Sequence, residues 1–159
     1  MGPGIKILSG GQTGVDRAAL DAAIEKGLSY GGWCPSGGWA EDLPEPPGLL
    51  ALYPDLQETP LAEPAQRTEW NVRDADRLMV LTGRAGMKVS KGTEAARALA
   101  VRLGKECIVL DLDEGDALDR ARAFLGEGNG GLSICIAGPR ESEAPGIYAK
   151  ARAFLCELL

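Results

Sequence analysis

Ile5-Lys6-Ile7-Leu8-Ser9-Gly10-Gly11-Gln12-Thr13-Gly14-Val15-Asp16-Arg17 is the stretch from which the fold is read. A short apolar run gives way to glycines, then to an alanine-rich pattern (Ala18, Ala19, Ala22, Ala23) that Gly27 stops. An apolar run without polar alternation predicts a strand buried on both faces, and the periodicity after it predicts a helix over 14–26. The unit recurs downstream. Apolar runs at 29–33, 77–81, 106–110 and 132–137 alternate with helical patterns at 68–75, 93–103, 116–125 and 144–158. The expectation is an α/β protein, a three-layer doubly wound sandwich on a mostly parallel sheet of four to five strands.

One segment breaks the alternation. Residues 43–66 hold six of the ten prolines, and 27–66 contain six acids but no Lys or Arg. Proline at this density forbids a long helix or a central strand. The segment reads as an irregular, acidic, proline-rich arm, and irregular stretches of this length are usually functional. The 159 residues otherwise fit one domain, 1–159, with the arm inside it.

Composition removes whole classes of chemistry. The net charge of −6 argues against binding nucleic acid or an acidic membrane surface. There is no histidine, so Ser-His-Asp catalysis, Cys-His catalysis and His-ligated metals are excluded. Cys34, Cys107, Cys135 and Cys156 form no CxxC pair and no metal-ligand spacing, so no metal site is expected. Free cysteines in apolar runs fit a reducing cytoplasm. No run approaches the ~18–20 apolar residues of a membrane span, and residues 1–9 lack the basic-then-apolar pattern of a leader.

In an open parallel sheet, ligands bind beyond the carboxyl ends of the strands. Three loops there carry glycine. The first, Gly10-Gly11-Gln12-Thr13-Gly14, opens the first helix, where converging amides and the helix dipole suit an oxyanion. Thr13 and Asp16 have capping-box spacing. Arg17, a cation in a first turn, is explained by pairing with an anion, either a ligand or Asp21. The bland alternative is a tight turn with a surface ion pair. The second loop, Ser90-Lys91-Gly92-Thr93, opens the helix after the 77–81 strand, with Arg84 and Lys88 nearby. With strands ordered 2-1-3-4-5 it neighbours the first loop across the switch point. The third, with Arg140, follows the last strand; that order puts it at the sheet edge, ~14 Å from the first strand, where Arg140 either reaches the site or serves a subunit contact. Arg67 and Asn71 share a helix face, suited to an anionic or amide-bearing ligand; Thr68 serves as an N-cap in the plainer reading.

Six ordered motifs resemble a known family. They are Gly10 to Arg17; Cys34-Pro35 with Ala40-Glu41-Asp42; Tyr53 with Leu56 and Glu58-Thr59; Arg67-Thr68 with Asn71-Val72 and Asp74; Gly92-Thr93; and Ala137-Gly138-Pro139-Arg140 with Pro145-Gly146-Ile147-Tyr148. The chain resembles the molybdenum cofactor carrier family, which is similar in fold to the cytokinin-activating phosphoribohydrolases. The resemblance implies a Rossmann-like sandwich, a homo-oligomer (dimer or tetramer), and binding of molybdenum cofactor through its phosphate and pterin. It implies no catalysis. Two positions depart from the family pattern: Gly38 stands where it carries Arg, and Lys91 where it carries Gly.

The binding set expected from these readings is Gly10, Gly11, Gln12, Thr13, Gly14, Asp16, Arg17, Glu41, Asp42, Arg67, Thr68, Asn71, Ser90, Lys91, Gly92 and Thr93. Glu41 and Asp42 would accept from pterin N–H groups, or form a solvated acidic loop. Trp33 or Trp39 would stack on a flat ring, or pack in the core. Three functions compete. The first is a non-catalytic carrier or sensor of an anionic pterin or nucleotide, whose site a phosphate- or sulfate-like anion would also occupy. The second is a nucleotide phosphoribohydrolase with Glu94 as its acid. The third is an interaction module that uses the arm.

Overall fold

The computed structural model describes residues 4–127 and 130–159; residues 1–3, part of the segment read for a leader, lie outside them. In chain order the elements are β1 (Lys6–Leu8), α1 (Val15–Glu25), β2 (Tyr30–Gly31), β3 (Trp33–Cys34), α2 (Leu49–Leu52), β4 (Gln57–Glu58), α3 (Pro64–Asp74), β5 (Arg77–Thr82), α4 (Lys91–Arg102), β6 (Glu106–Asp111), α5 (Ala117–Leu125), β7 (Ser133–Ala137) and α6 (Ile147–Leu158). Two single turns of 3₁₀ helix, Ser36–Gly38 and Met87–Val89, complete the set.

Five strands form one parallel sheet in the order β2-β1-β7-β5-β6. Side chains alternate between its faces. Ile7, Met79, Leu81, Ile134 and Ile136 meet the alanines of α1 with Ala121 and Leu125 of α5 and Ile147, Ala151 and Leu155 of α6. Leu8, Leu78, Val80 and Cys135 meet Val72 of α3 and Ala96, Leu99 and Ala100 of α4. This is the expected three-layer, Rossmann-like sandwich, with strands apolar on both faces because both are covered.

The strand order corrects the expected one. The last strand does not lie at an edge: β7 is inserted between β1 and β5, with Ile134 opposite both Ile7 and Arg77. Counted from β7, the order becomes 3-2-1-4-5, that of a doubly wound sheet. The chain is therefore opened between the first two strands of that sheet, and its first strand is carried to the end of the sequence. The loop after β7 consequently lies at the centre of the ligand-binding edge rather than ~14 Å away.

The single strand expected at 29–33 is two. Gly32 adopts φ 118°, and a Cβ there would sit 2.5 Å from the Ser9 carbonyl oxygen. The chain turns out of the main sheet at that point, and β3 pairs in parallel with β4 of the arm. The arm is packed as well as irregular: Leu49, Tyr53 and Leu56 are buried with Leu20, Cys34 and Ala40 in a third apolar cluster. The helix expected at 68–75 begins four residues earlier, with Pro64 in its first turn, where proline's fixed φ suits a helix start.

Candidate functional site

A cavity of about 520 Å³ opens at the carboxyl ends of β1, β7 and β5. Ten of the sixteen expected residues line it: Gly10, Gln12, Asp16, Arg67, Thr68, Asn71, Ser90, Lys91, Gly92 and Thr93. The first two loops thus face one hollow. Lys88, Trp39 and, from the loop after β7, Gly138, Arg140 and Glu143 complete much of the wall. Arg140 and Glu143 reach it because β7 is central, which local sequence pattern does not encode.

The α4 side of the cavity is open. Ser90 caps the helix, its Oγ accepting from the Thr93 amide at 3.3 Å and the Thr93 hydroxyl at 2.9 Å. Among the described residues the Lys91 and Gly92 amides have no protein acceptor, as first-turn amides lack intrahelical partners. Lys88 and Lys91 are exposed and enter no ion pair among the described residues. Arg67 donates from Nη1 to the Gly10 carbonyl at 3.2 Å and likewise has no acid partner there.

The β1 side is in part taken up by its own contacts: three of the first loop's amides, expected to face a ligand, already have protein acceptors. The Gly11 amide donates to Ser9 Oγ (3.2 Å), the Thr13 amide to Gln12 Oε1 (3.0 Å) and the Val15 amide to the Pro139 carbonyl (3.2 Å). Gln12 Oε1 also accepts from the Glu41 amide at 2.9 Å, and the Gln12 side chain is buried. No capping box forms: Thr13 bonds Glu41 (2.5 Å), and Gly14 is the N-cap without a side-chain bond. Gly14 holds φ 79°, and a Cβ there would lie 2.2 Å from the Pro139 carbonyl oxygen. Glycine is needed here for close approach to the loop after β7.

Six expected residues lie off the cavity. Gly11 packs against Leu49 and Leu56, and Gly14 against residues 139–141. Thr13, Arg17, Glu41 and Asp42 line a second hollow of about 890 Å³ behind α1's first turn, with Asp21, Tyr53 and Tyr148. Arg17 pairs with Asp42 rather than Asp21, through Nη1–Oδ2 at 2.9 Å and Nη2–Oδ1 at 2.8 Å, while its Nε donates to the Gly11 carbonyl. Asp21 instead accepts from the Tyr53 and Tyr148 hydroxyls. Burial pushes the Glu41 carboxyl up, but hydrogen bonds from Thr13 and Ser142 and the Arg140 charge outweigh it and hold Glu41 below the usual range. Arg17 likewise holds Asp42 down.

Several expected ligand contacts are structural ones. Asn71 is buried, its Oδ1 accepting from the Trp33 amide (2.8 Å) and its Nδ2 donating to the Trp33 carbonyl (2.9 Å). It pins β3 to α3. Thr68 is mid-helix, donating to the Pro64 carbonyl rather than capping. Trp33 packs edge-to-face on Trp70 and donates to Asp74, which leaves Trp39 as the flat ring at the cavity. Burial pushes the Cys34 thiol up to about 11, so it stays protonated. Glu94 is exposed and lines neither hollow. Among the described residues no three Cys, Asp or Glu side chains gather as a metal-ligand group, and no helix is long and apolar enough to cross a membrane.

Asp16 is the unusual member of the set. It lies half-buried in the cavity wall. Burial pushes its carboxyl up to about 6, against the opposing pull of Arg67, Arg17 and the Gln12 amide.

A family model described as "Circularly permutated YpsA SLOG family" matches residues 7–159. The permutation derived from strand order fits that description. A solved structure at TM-score 0.82 and 36% identity covers 99% of this chain and 96% of its own. It is a protein of Syntrophus aciditrophicus described as a "Putative molybdenum carrier protein". Comparison with curated protein sequences gives no match.

Proposed function

This chain belongs to the circularly permutated YpsA SLOG family, and from that premise we propose that it is a binding protein for a small phosphate-bearing ligand. The observation that carries the reading is the cavity between β1, β7 and β5. On one side it has α4's uncommitted first-turn amides, with Arg67, Lys88 and Lys91 free of acid partners among the described residues. Amides at a helix start with cations beside them suit a phosphate. Trp39, half-buried in the same wall, provides a face for a flat ring system. A volume of about 520 Å³ lies within the usual range for ligand sites.

Within that class we propose molybdenum cofactor as the cargo, because the similar solved protein is described as a molybdenum carrier. The phosphate would lie on the α4 start and Arg67, and the pterin would lie toward Trp39. Carriage by a homo-oligomer in the cytoplasm belongs to the same reading. No observation favours hydrolysis, since Glu94 is exposed and does not line the cavity.

Native mass spectrometry and thermal shift with molybdenum cofactor, GMP, AMP and molybdate test the proposal. The cofactor and the nucleotides should bind and stabilise the protein, and Arg67→Ala should weaken them about tenfold or more. No shift with any of them at millimolar concentration contradicts it. Release of adenine from AMP would establish catalysis instead.

A further inference from the structure

The cavity wall is not uniformly cationic. Asp16 and Glu143 line it together with Arg67, Lys88, Lys91 and Arg140. The two acids differ in what surrounds them. Glu143 is engaged by Arg140, whose backbone amide donates to Oε1 at 2.9 Å and whose guanidinium donates to Oε2 at 3.3 Å. Asp16 receives no side-chain hydrogen bond and forms no ion pair among the described residues. Its protein partner is the backbone amide of Gln12, and Arg67 and Arg17 act on it only through space. The macrodipole favours an acid in a helix's first turn, but that explains its charge and not its place in the wall of a cavity.

An ionised carboxylate only accepts hydrogen bonds. Beside a bare oxyanion it repels, and the repulsion grows in a cleft of lower dielectric than water. Beside a hydroxyl or N–H it forms a charge-assisted hydrogen bond, stronger than a neutral one. The cavity is also far larger than an inorganic oxyanion needs. We propose that Asp16 determines the specificity of this cavity: it accepts a hydrogen bond from a hydroxyl or N–H of the ligand, and so selects phosphate esters bearing such a donor over inorganic oxyanions. The inference rests on the reading that the cavity takes a phosphate group, and goes beyond it by naming what stands next to that phosphate.

Titration calorimetry with inorganic phosphate, ribose 5-phosphate and GMP, on the wild type, Asp16→Ala, Asp16→Asn and Arg67→Ala, tests it. Wild type should bind at least one ester about tenfold more tightly than inorganic phosphate. Asp16→Ala should bring that ratio to within about threefold, weakening the ester and tightening phosphate, and Asp16→Asn should fall between. If ribose 5-phosphate shows the preference, the donor is a sugar hydroxyl; if GMP alone does, it is a base N–H of the kind a pterin shares. Two results separate the failures. An unchanged ratio in Asp16→Ala, with Arg67→Ala still weakening binding about tenfold or more, overturns the role of Asp16 and leaves the cavity reading intact. No binding of any probe by the folded wild type overturns both.

Discussion

The loop after β1 and the start of α4 both join a parallel strand to a helix, both carry glycine, and both face one cavity, yet they do opposite work. In the first loop the amides of Gly11, Thr13 and Val15 and the side chains of Gln12 and Arg17 are taken up by Ser9, Gln12, Pro139, Glu41 and Asp42. It is a joint that holds the arm and the loop after β7 together. At the start of α4, Ser90 satisfies one amide and those of Lys91 and Gly92 stay open. A glycine-rich loop is therefore not by itself an anion site; what decides is whether its donors already have acceptors.

The contrast is sharpest at the two glycines. Gly14→Ala forces a side chain into a positive-φ position, against a carbonyl oxygen 2.2 Å away. It should cost about 3 kcal/mol or more by denaturant unfolding, or prevent folding. Asp16→Asn should raise stability at pH 7, on the order of 2 kcal/mol, because the folded carboxyl titrates at about 6 rather than 3.8. The sign follows from proton binding. Between pH 4 and 6 the folded state holds the proton more tightly, so wild-type stability from this group falls as pH rises through that window. The advantage of Asn should vanish below about pH 4, and unfolding midpoints of the two proteins between pH 3.5 and 7.5 read it directly.

Smaller effects follow. Arg17→Ala should cost about 1–2 kcal/mol, since it strands the Gly11 carbonyl and breaks the paired contact with Asp42, itself half in solvent. Phosphate-ester affinity should change little, because Arg17 faces the second hollow. Ser90→Ala should cost about 1 kcal/mol by removing the cap of α4. Gly92→Ala meets nothing within 4 Å and should be neutral, or stabilising by up to ~0.5 kcal/mol. If Gly92→Ala proved as damaging as Gly14→Ala, the two loops would not differ in the way described.

The sequence carried the layers of this fold but not their order. Leu78 to Leu81 and Ile134 to Ile136 read as doubly buried strands because both faces are covered. Nothing in Ser133–Ala137 says that it sits beside Lys6–Leu8, since strand adjacency is settled by which crossovers pack, over distances that periodicity does not span. The place of Arg140 at the cavity follows from that adjacency and has no local signal. The arm's prolines announce irregularity, while its packing rests on the apolar Leu49, Tyr53 and Leu56. At the site, glycine, Ser90 and Arg67 were legible as residue types. That Asn71 and Gln12 hold backbone, and that Arg17 meets Asp42 across 25 residues, depends on the folded arm.

The most direct test is an amide NMR titration of the ¹⁵N-labelled protein with GMP. If the open start of α4 takes the phosphate, the Lys91 and Gly92 resonances shift most, and those of Gly11, Thr13 and Val15 shift little. The opposite pattern, with the first loop moving and α4 silent, would contradict the account.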